Sequence, residues 1–366
     1  MEAVPQPGEG CGRRDHLKVT IAEVASRAGV GVATVSRVLN GSPAVSEETR
    51  TKVRAIIDEL GYEPSAAARA LSTGRTRTVG VVTPFFTQPS VVERLRGVSR
   101  EITEGGYQLV LFDLARPDRL ARLPVGGRID GLLCVSMCPS ESDLSRLLAA
   151  NVAVALVDCE HPALSSVAID DMAGGRLAAE HLLELGHHRI AFVGDDENGT
   201  WGFTSSARRR AGAASAVAEA GGRLMVRRGP HGRNHARSLA SRLLALDDPP
   251  TAIFAGSDLQ AVGVLEAAHA AGVGIPDELS VIGFDDVELA RYVGLTTVAQ
   301  PLESSGAQGA QLLMEAMRGA PRRTCRLDLR IVRRSTTASR GRNPGTRIQK
   351  APARGRRSST ARMAPA

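Results

Sequence analysis

Six side chains within nine positions, Val32, Ala33, Thr34, Ser36, Arg37 and Asn40, form a surface suited to reading nucleic acid. Arg37 can donate to guanine or to a phosphate, Thr34, Ser36 and Asn40 can bond phosphates or bases, and Val32 and Ala33 offer apolar contacts to thymine methyls. Their small size lets a backbone approach base edges closely. Candidates for turnover are weaker. His187-His188, Asp285-Asp286 and scattered serines form no nucleophile elbow, phosphate loop, HExxH or dinucleotide fingerprint. Adjacent histidines point to different sides of a strand or helix, so the pair reads as surface and structural. We therefore expect no catalytic residue, no cofactor and no enzyme. Cys11, Cys134, Cys138, Cys159 and Cys325 contain no CxxC pair, which indicates neither a metal site nor a disulfide framework and leaves buried or idle thiols as the expectation.

The elements that must hold the reading surface are short helices. Thr20 followed by Glu23 is a capping box, and Ile21, Val24, Ala25 and Ala28 share one apolar face. Gly29 supplies a left-handed corner before a second helix near Val32, in which Val35, Val38 and Leu39 face inward. Ser46 caps a third helix with Glu47 and Glu48 at its positive end and Val53, Ile56, Ile57 and Leu60 inside; Gly61 ends it. The outline is a helix-turn-helix whose second helix enters the major groove; an ordinary three-helix bundle is the alternative. "PSAAARALSTG" follows, a good helix former only about two turns long, which folds only when something orders it. Leu71 is an apolar side chain stranded in that linker, and a Leu wedge between base steps can kink DNA; a linker with no role on DNA is the alternative.

At 366 residues and 43% hydrophobic content the chain exceeds one typical domain and can bury a real core. No apolar run suffices to cross a bilayer and "MEAVPQPGEGCGRRDH" lacks the apolar centre of a secretion signal, so the expectation is a cytoplasmic protein with no membrane partner. Residues 337–366 hold eight basic side chains and no acid; taking these from the net charge of +7 leaves −1. That segment is too poor in apolar residues to fold and reads as a disordered basic tail, either attracted to polyanions or merely solubilising.

From residue 78 apolar runs alternate with helical patterns. Strands are predicted at 78–84, 107–113, 131–137, 152–158, 188–195, 251–258 and 279–286, with helices over 91–104, 174–185, 206–220, 235–246 and 259–271. Such alternation means a parallel sheet covered on both faces. The last three strands end near Asp195, Asp258 and Asp285, and ligands in such sheets bind beyond the C-terminal strand ends.

Residues 19–82, "VTIAEVASRAGVGVATVSRVLNGSPAVSEETRTKVRAIIDELGYEPSAAARALSTGRTRTVGVV", resemble the headpiece and hinge of the lactose/galactose repressor (LacI/GalR) family. "SSVAIDDMAGGRLAAEHLLELGHHRIAFVG", "PTAIFAGSDLQAVGVLEAAHAAGVGIPDELSVIGFDD", "LTTVAQPLESSGAQGAQLL" and "RRSTT" are similar to its effector domain. The implied fold class is α/β: a helix-turn-helix headpiece and hinge helix, then a two-lobed periplasmic-binding-protein-like (type I) parallel α/β domain. The implied boundaries are an arm at 1–17, headpiece 18–63, hinge 64–76, effector-binding and dimerisation domain 77–336 and tail 337–366. The resemblance implies a homodimeric repressor of a pseudo-palindromic double-stranded operator, controlled by a sugar-like small molecule held between two lobes. DNA-facing positions would be Thr20, Val32, Ala33, Thr34, Ser36, Arg37, Asn40, Ala68 and Leu71, with Leu71 in the minor groove. Effector-binding positions would be Phe86, Asp158, Trp201, Arg209, Ser257, Asp258 and Asp285. Each effector position has a structural alternative: Asp258 as a helix cap, Asp285 as a turn residue, Phe86 as core. Gly31 departs from the family's Ser at the cap of the second helix, the passage after Asp113 is short, and "TPFFTQPS" replaces the usual Asn-Pro-Phe-Phe type. The other function classes are a solute-binding sensor, which leaves the headpiece unexplained, and an enzyme with an incidental helical domain.

Overall fold

Caps and apolar stripes place three helices at the front of the chain: α1 (Ile21–Ala28), α2 (Val32–Leu39) and α3 (Glu47–Leu60). In this computed structural model the described residues are 19–62, 75–114, 116–123, 125–196 and 203–340. Ala68 and Leu71 in the hinge, Trp201, the arm and the chain beyond residue 340 lie outside them. The Thr20 side chain accepts from the Glu23 amide while the Glu23 carboxylate accepts from the Thr20 amide, and Gly29 ends α1 at φ 66°. Ser46 accepts from the Thr49 amide at the start of α3. The stripes meet in one core of Val24, Ala25, Ala28, Val35, Val38, Val53 and Tyr62. Gly31 makes no side-chain bond at the start of α2, as its lack of a side chain requires.

The elements that follow are β1 (Thr78–Thr83), α4 (Pro89–Glu104), β2 (Gln108–Asp113), β3 (Gly131–Val135), α5 (Glu141–Ala149), β4 (Ala153–Val157), β5 (Ser165–Ile169), α6 (Asp171–Glu184) and β6 (Arg189–Asp195). Then come α7 (Ser205–Glu219), β7 (Arg223–Gly229), α8 (Arg233–Leu244), β8 (Ala252–Ala255), α9 (Asp258–Ala271), β9 (Ser280–Asp285), α10 (Glu288–Tyr292), β10 (Thr296–Ala299), α11 (Leu302–Met317), β11 (Thr324–Leu327) and β12 (Arg330–Val332). The chain divides into two compact units, a first that runs to Ala168 and takes in Leu302–Cys325, and a second of Ile169–Pro301 with the chain from Arg326 on. One parallel sheet was expected from periodicity alone; among the described residues there are two of six strands each, in line with the two lobes that the resemblance implied.

In the first unit the strand order is β11-β5-β4-β3-β1-β2, with β1 to β5 paired in parallel. Its core of Val79, Val81, Leu133, Val135, Ala155 and Val157 is covered by α4 and α11 through Val98, Ile102, Ala310 and Leu313. In the second the order is β12-β10-β9-β8-β6-β7, parallel except for β12 against β10. Phe192, Phe254 and Phe284 fill one side of that sheet beneath α6 and α7, and Ile253 and Val281 the other beneath α8 and α9, where Val264 of α9 packs against them. All seven predicted strands form, but the sixth pattern stops early: β8 ends at Ala255, Ser257 caps α9, and Asp258 is already its first residue. Among the described residues between β2 and β3, in the short passage noted above, the one element is a 3-10 turn over Pro117–Arg122.

Ordered chain also runs past the expected end of the domain at residue 336. The Thr336 hydroxyl donates to the Val281 carbonyl at 2.7 Å and accepts from the Thr296 amide at 2.9 Å, and the Arg340 amide donates to the Leu185 carbonyl at 2.7 Å. Residues 337–340 therefore belong to the folded unit. No helix among the described residues is long and apolar enough to cross a membrane.

Candidate functional site

The sequence-predicted reading surface is built by turning Val35 (fully buried) and Val38 into the headpiece core. This leaves Val32, Ala33, Arg37 and Asn40 exposed and Thr34 and Ser36 half-buried, all on one side of α2, which carries no acid in its first turn. Val32 is 46% exposed, an uncommon position for a β-branched apolar side chain with no core to join. The loop that presents the C-terminal end of α2 is clamped by Arg50, whose guanidinium donates to the Ser42 carbonyl at 2.9 Å and the Val45 carbonyl at 3.4 Å. Thr20 sits at the α1 cap with its hydroxyl bonded to Glu23.

In the first unit, Phe86 lies just beyond the end of β1 and is 37% exposed. Asp158 follows β4, and its carboxylate is fixed twice: Arg94 reaches Oδ1 at 2.9 Å and Ser136 Oγ donates to Oδ2 at 2.9 Å. Arg94 is nearly fully buried, so this pair is shielded from water and from salt. Ser136 and Asp158 both sit at positive φ, 55° and 64°, where residues other than glycine are uncommon. Alongside them Cys138 and Cys159 are joined by a disulfide, contrary to the expectation of idle thiols. The spacing of 21 residues carried no framework signature; what brings the two together is that β3 and β4 are parallel neighbours ending at the same edge. Cys134 is a thiol inside the sheet, its pKa pushed up to about 12 by burial.

The second unit holds a denser polar cluster at the C-terminal edge of its sheet. Arg209 on α7 donates from Nε to Asp171 at 2.8 Å and from its terminal nitrogen to the Gly256 carbonyl at 2.7 Å, lies 3.8 Å from the Asp285 carboxylate, and stacks over the Phe284 ring at 3.7 Å. This arrangement needs α6 and α7 in backbone contact. A Cβ on Gly175 would collide with the Arg209 carbonyl and one on Gly212 with the Met172 carbonyl, so the two glycines let the helices cross where Asp171 faces Arg209. Asp285, at φ 120°, accepts from Gln300 at 2.6 Å. Ser257 accepts from the Gln260 amide at 3.3 Å, Gln260 donates to Asp195 at 2.8 Å, and His231 bonds the same Asp195 oxygen at 3.0 Å. Burial works against protonation of His231, but the Asp195 carboxylate outweighs it and raises the pKa above the ordinary histidine value.

Of the predicted effector residues, Arg209, Ser257 and Asp285 come together here. Asp171, Asp195, His231, Gln260 and Gln300 complete the cluster and were not among the expected positions, because they are single polar residues spread over 130 positions; only Asp195 was marked, as a strand end. Asp258 departs from its predicted role. It is fully buried, with one carboxylate oxygen taken by the Val287 amide at 3.0 Å and the other by the Thr297 hydroxyl at 2.6 Å. Its pKa is raised, by burial first and by Asp285 second. It ties the loop after β9 and strand β10 to α9 from the inside, which leaves no oxygen facing a ligand. His187, expected at the surface, is buried: its Nε2 donates to the Ala338 carbonyl at 3.1 Å, which anchors the C-terminal segment. No group of three or more metal-ligating side chains occurs among the described residues.

Residues 20–65 match the family described as bacterial regulatory proteins, lacI family, and residues 179–337 match the periplasmic binding protein-like domain. The HTH-type transcriptional repressor PurR of Photobacterium profundum is 34% identical over 314 residues, 82% of this chain and 92% of that protein. The ribose operon repressor of Escherichia coli is 35% identical over 309 residues, 81% and 92% of the two chains. Among solved structures, the lac repressor dimer bound to operator and the anti-inducer ONPF is similar with a TM-score of 0.77 and 26% identity, covering 87% of this chain and 99% of that one.

Proposed function

The chain belongs to the lacI family of bacterial regulatory proteins, a DNA-binding transcription regulator with an effector-binding domain, and from that premise we propose that it is a cytoplasmic repressor whose operator affinity is set by a polyhydroxylated small molecule. The observation that carries the DNA half is the face of α2: Val32, Ala33, Arg37 and Asn40 stand outward on a helix whose other side is locked in the headpiece core. Two such helices, one from each chain of a homodimer, would read the two halves of a pseudo-palindrome in successive major grooves. The lac repressor dimer on its operator supports that arrangement. Ala68 and Leu71 complete it as a hinge that orders on DNA, with Leu71 as the minor-groove wedge.

For the effector, the second unit offers Arg209, Asp285, Ser257, Asp195 and His231 at one strand edge, a set of donors and acceptors that suits hydroxyl groups. Phe86 and Asp158 hold the same position in their own sheet, and Trp201 remains a candidate stacking surface. The relatives include a ribose operon repressor, which favours a sugar or sugar-like metabolite. We read the chain as a regulator and not an enzyme, in line with relatives described as a transcriptional repressor and an operon repressor.

The direct test is selection of bound sequences from a random double-stranded DNA pool with the full-length protein. A compact pseudo-palindrome is expected; recovery of no motif sinks the reading. On the recovered site, Arg37→Ala should weaken binding by about 1–3 kcal/mol, whether Arg37 meets guanine or phosphate. A variant that binds as tightly as the parent would remove Arg37 from the interface.

A further inference from the structure

We propose that Cys138 and Cys159 are a reversible dithiol–disulfide couple that fixes the loops around Asp158, so that the oxidation state of the pair sets the geometry of the Ser136–Asp158–Arg94 cluster. The bond ties the chain leaving β3 to the chain leaving β4, with Cα atoms 6.1 Å apart. Asp158 is the immediate neighbour of Cys159, and Ser136 is two residues before Cys138. Both residues hold left-handed backbone conformations, which persist only where the surroundings over-determine them. The cross-link is one such constraint; the Arg94 and Ser136 bonds to Asp158, and the backbone bonds from the Ser136 amide to the Val157 carbonyl and from the Asp158 amide to the Val167 carbonyl, are others.

The pair is also placed to react. Cys138 is exposed and Cys159 half-buried, so a small thiol can reach the bond, whereas Cys134 is sealed inside the sheet and held as a thiol. A DNA-binding regulator works where thiols are kept reduced, and a disulfide there is transient or redox-sensing. In reduction the thiolate of a dithiol reductant attacks Cys138 Sγ, the Sγ–Sγ bond breaks, and Cys159 leaves as a thiolate that takes up a proton. The reductant's second thiolate then displaces Cys138, which is also protonated, and departs as a cyclic disulfide; two electrons have passed to the protein. A low-molecular-weight disulfide reverses the exchange.

That the switch acts on the effector rests on the functional reading above, but the couple itself does not, and its test uses neither DNA nor effector. Native full-length protein is equilibrated in glutathione redox buffers, free thiols are blocked with one maleimide, and the rest are labelled with a heavier one after denaturation and reduction. Cys138 and Cys159 should pass together from heavy to light label as the buffer becomes more reducing. Amide exchange over residues 136–138 and 158–160 should then quicken by at least about tenfold in the reduced protein, and Cys138→Ser should match the reduced state in any buffer. A pair that stays bonded in the most reducing native buffer, a pair already reduced in the most oxidising one, or reduction that leaves exchange unchanged would each overturn the proposal.

Discussion

Arg209 touches groups of three kinds, the carboxylates of Asp171 and Asp285, a carbonyl and an aromatic face, and it is 7% exposed. Removing it leaves Asp171 buried without its counter-charge, a loss of about 3–5 kcal/mol by the precedent of broken buried pairs. Arg209→Ala should therefore lower the denaturation midpoint of the second unit as well as abolish effector response; an unchanged midpoint would mean that water replaces the guanidinium freely. His181 and His187 give a separate, pH-dependent prediction. Burial is the main cause that lowers both pKa values, with Arg333 adding to it at His181 and Arg340 at His187. A base whose pKa falls on folding binds protons more readily in the unfolded chain, so stability is kept above the ordinary value of 6.5 and lost as pH drops below it. Chemical denaturation at about pH 7.5 and about pH 5.5 should show that loss, with a ceiling of about 1.4 kcal/mol per pH unit for each histidine. His187→Gln should shrink it. Legibility at this scale was uneven: Arg209, Ser257 and Asp285 could be carried over by motif, but nothing in the letters Ser257-Asp258 says that the first caps α9 at the edge while the second turns inward to Thr297.

At the scale of elements, the headpiece was read almost residue for residue, because caps and stripes are local. Thr20 with Glu23, Gly29, Ser46 and Gly61 all act within four positions of where they stand. Four of the unmarked strands have physical reasons. Strand β7 carries Arg223, Arg227 and Arg228 on an edge where only one neighbour needs apolar contact, and β10, β11 and β12 have only four, four and three residues, too few for a period to show. Gly31 yields a prediction here. It lies at φ −73° and ψ 153°, a conformation any residue adopts, a Cβ there meets nothing, and a serine oxygen could accept from the first amides of α2. Gly31→Ser should stabilise the headpiece by about 0.5–1 kcal/mol, from the cap and from a less flexible unfolded chain. Slower amide exchange in α2 is the readout, and faster exchange would mean that the serine side chain is drawn elsewhere.

For the molecule as a whole, charge is divided along the chain in a way that separates two kinds of DNA binding. Residues 341–366 carry seven basic side chains and no acid, whereas α2 offers Arg37 alone on a surface of small neutral groups. Attraction of a basic segment to phosphates is independent of sequence and strongly salt-dependent; contact of small side chains with base edges is the reverse. The place to cut is set by the fold, not by composition, which had put the tail's start at residue 337. Thr336, Ala338 and Arg340 are bonded to β9, β10 and the end of α6, so a cut before Arg340 would damage the second unit and confound the result. Truncation after Arg340 should leave thermal stability unchanged and weaken binding to random DNA more than it weakens the ratio of specific to random affinity. The slope of log affinity against log salt should become shallower by up to about 6 if all seven charges meet phosphates. An unchanged slope would make the tail a solubilising extension and place the whole electrostatic share of DNA binding on the headpiece.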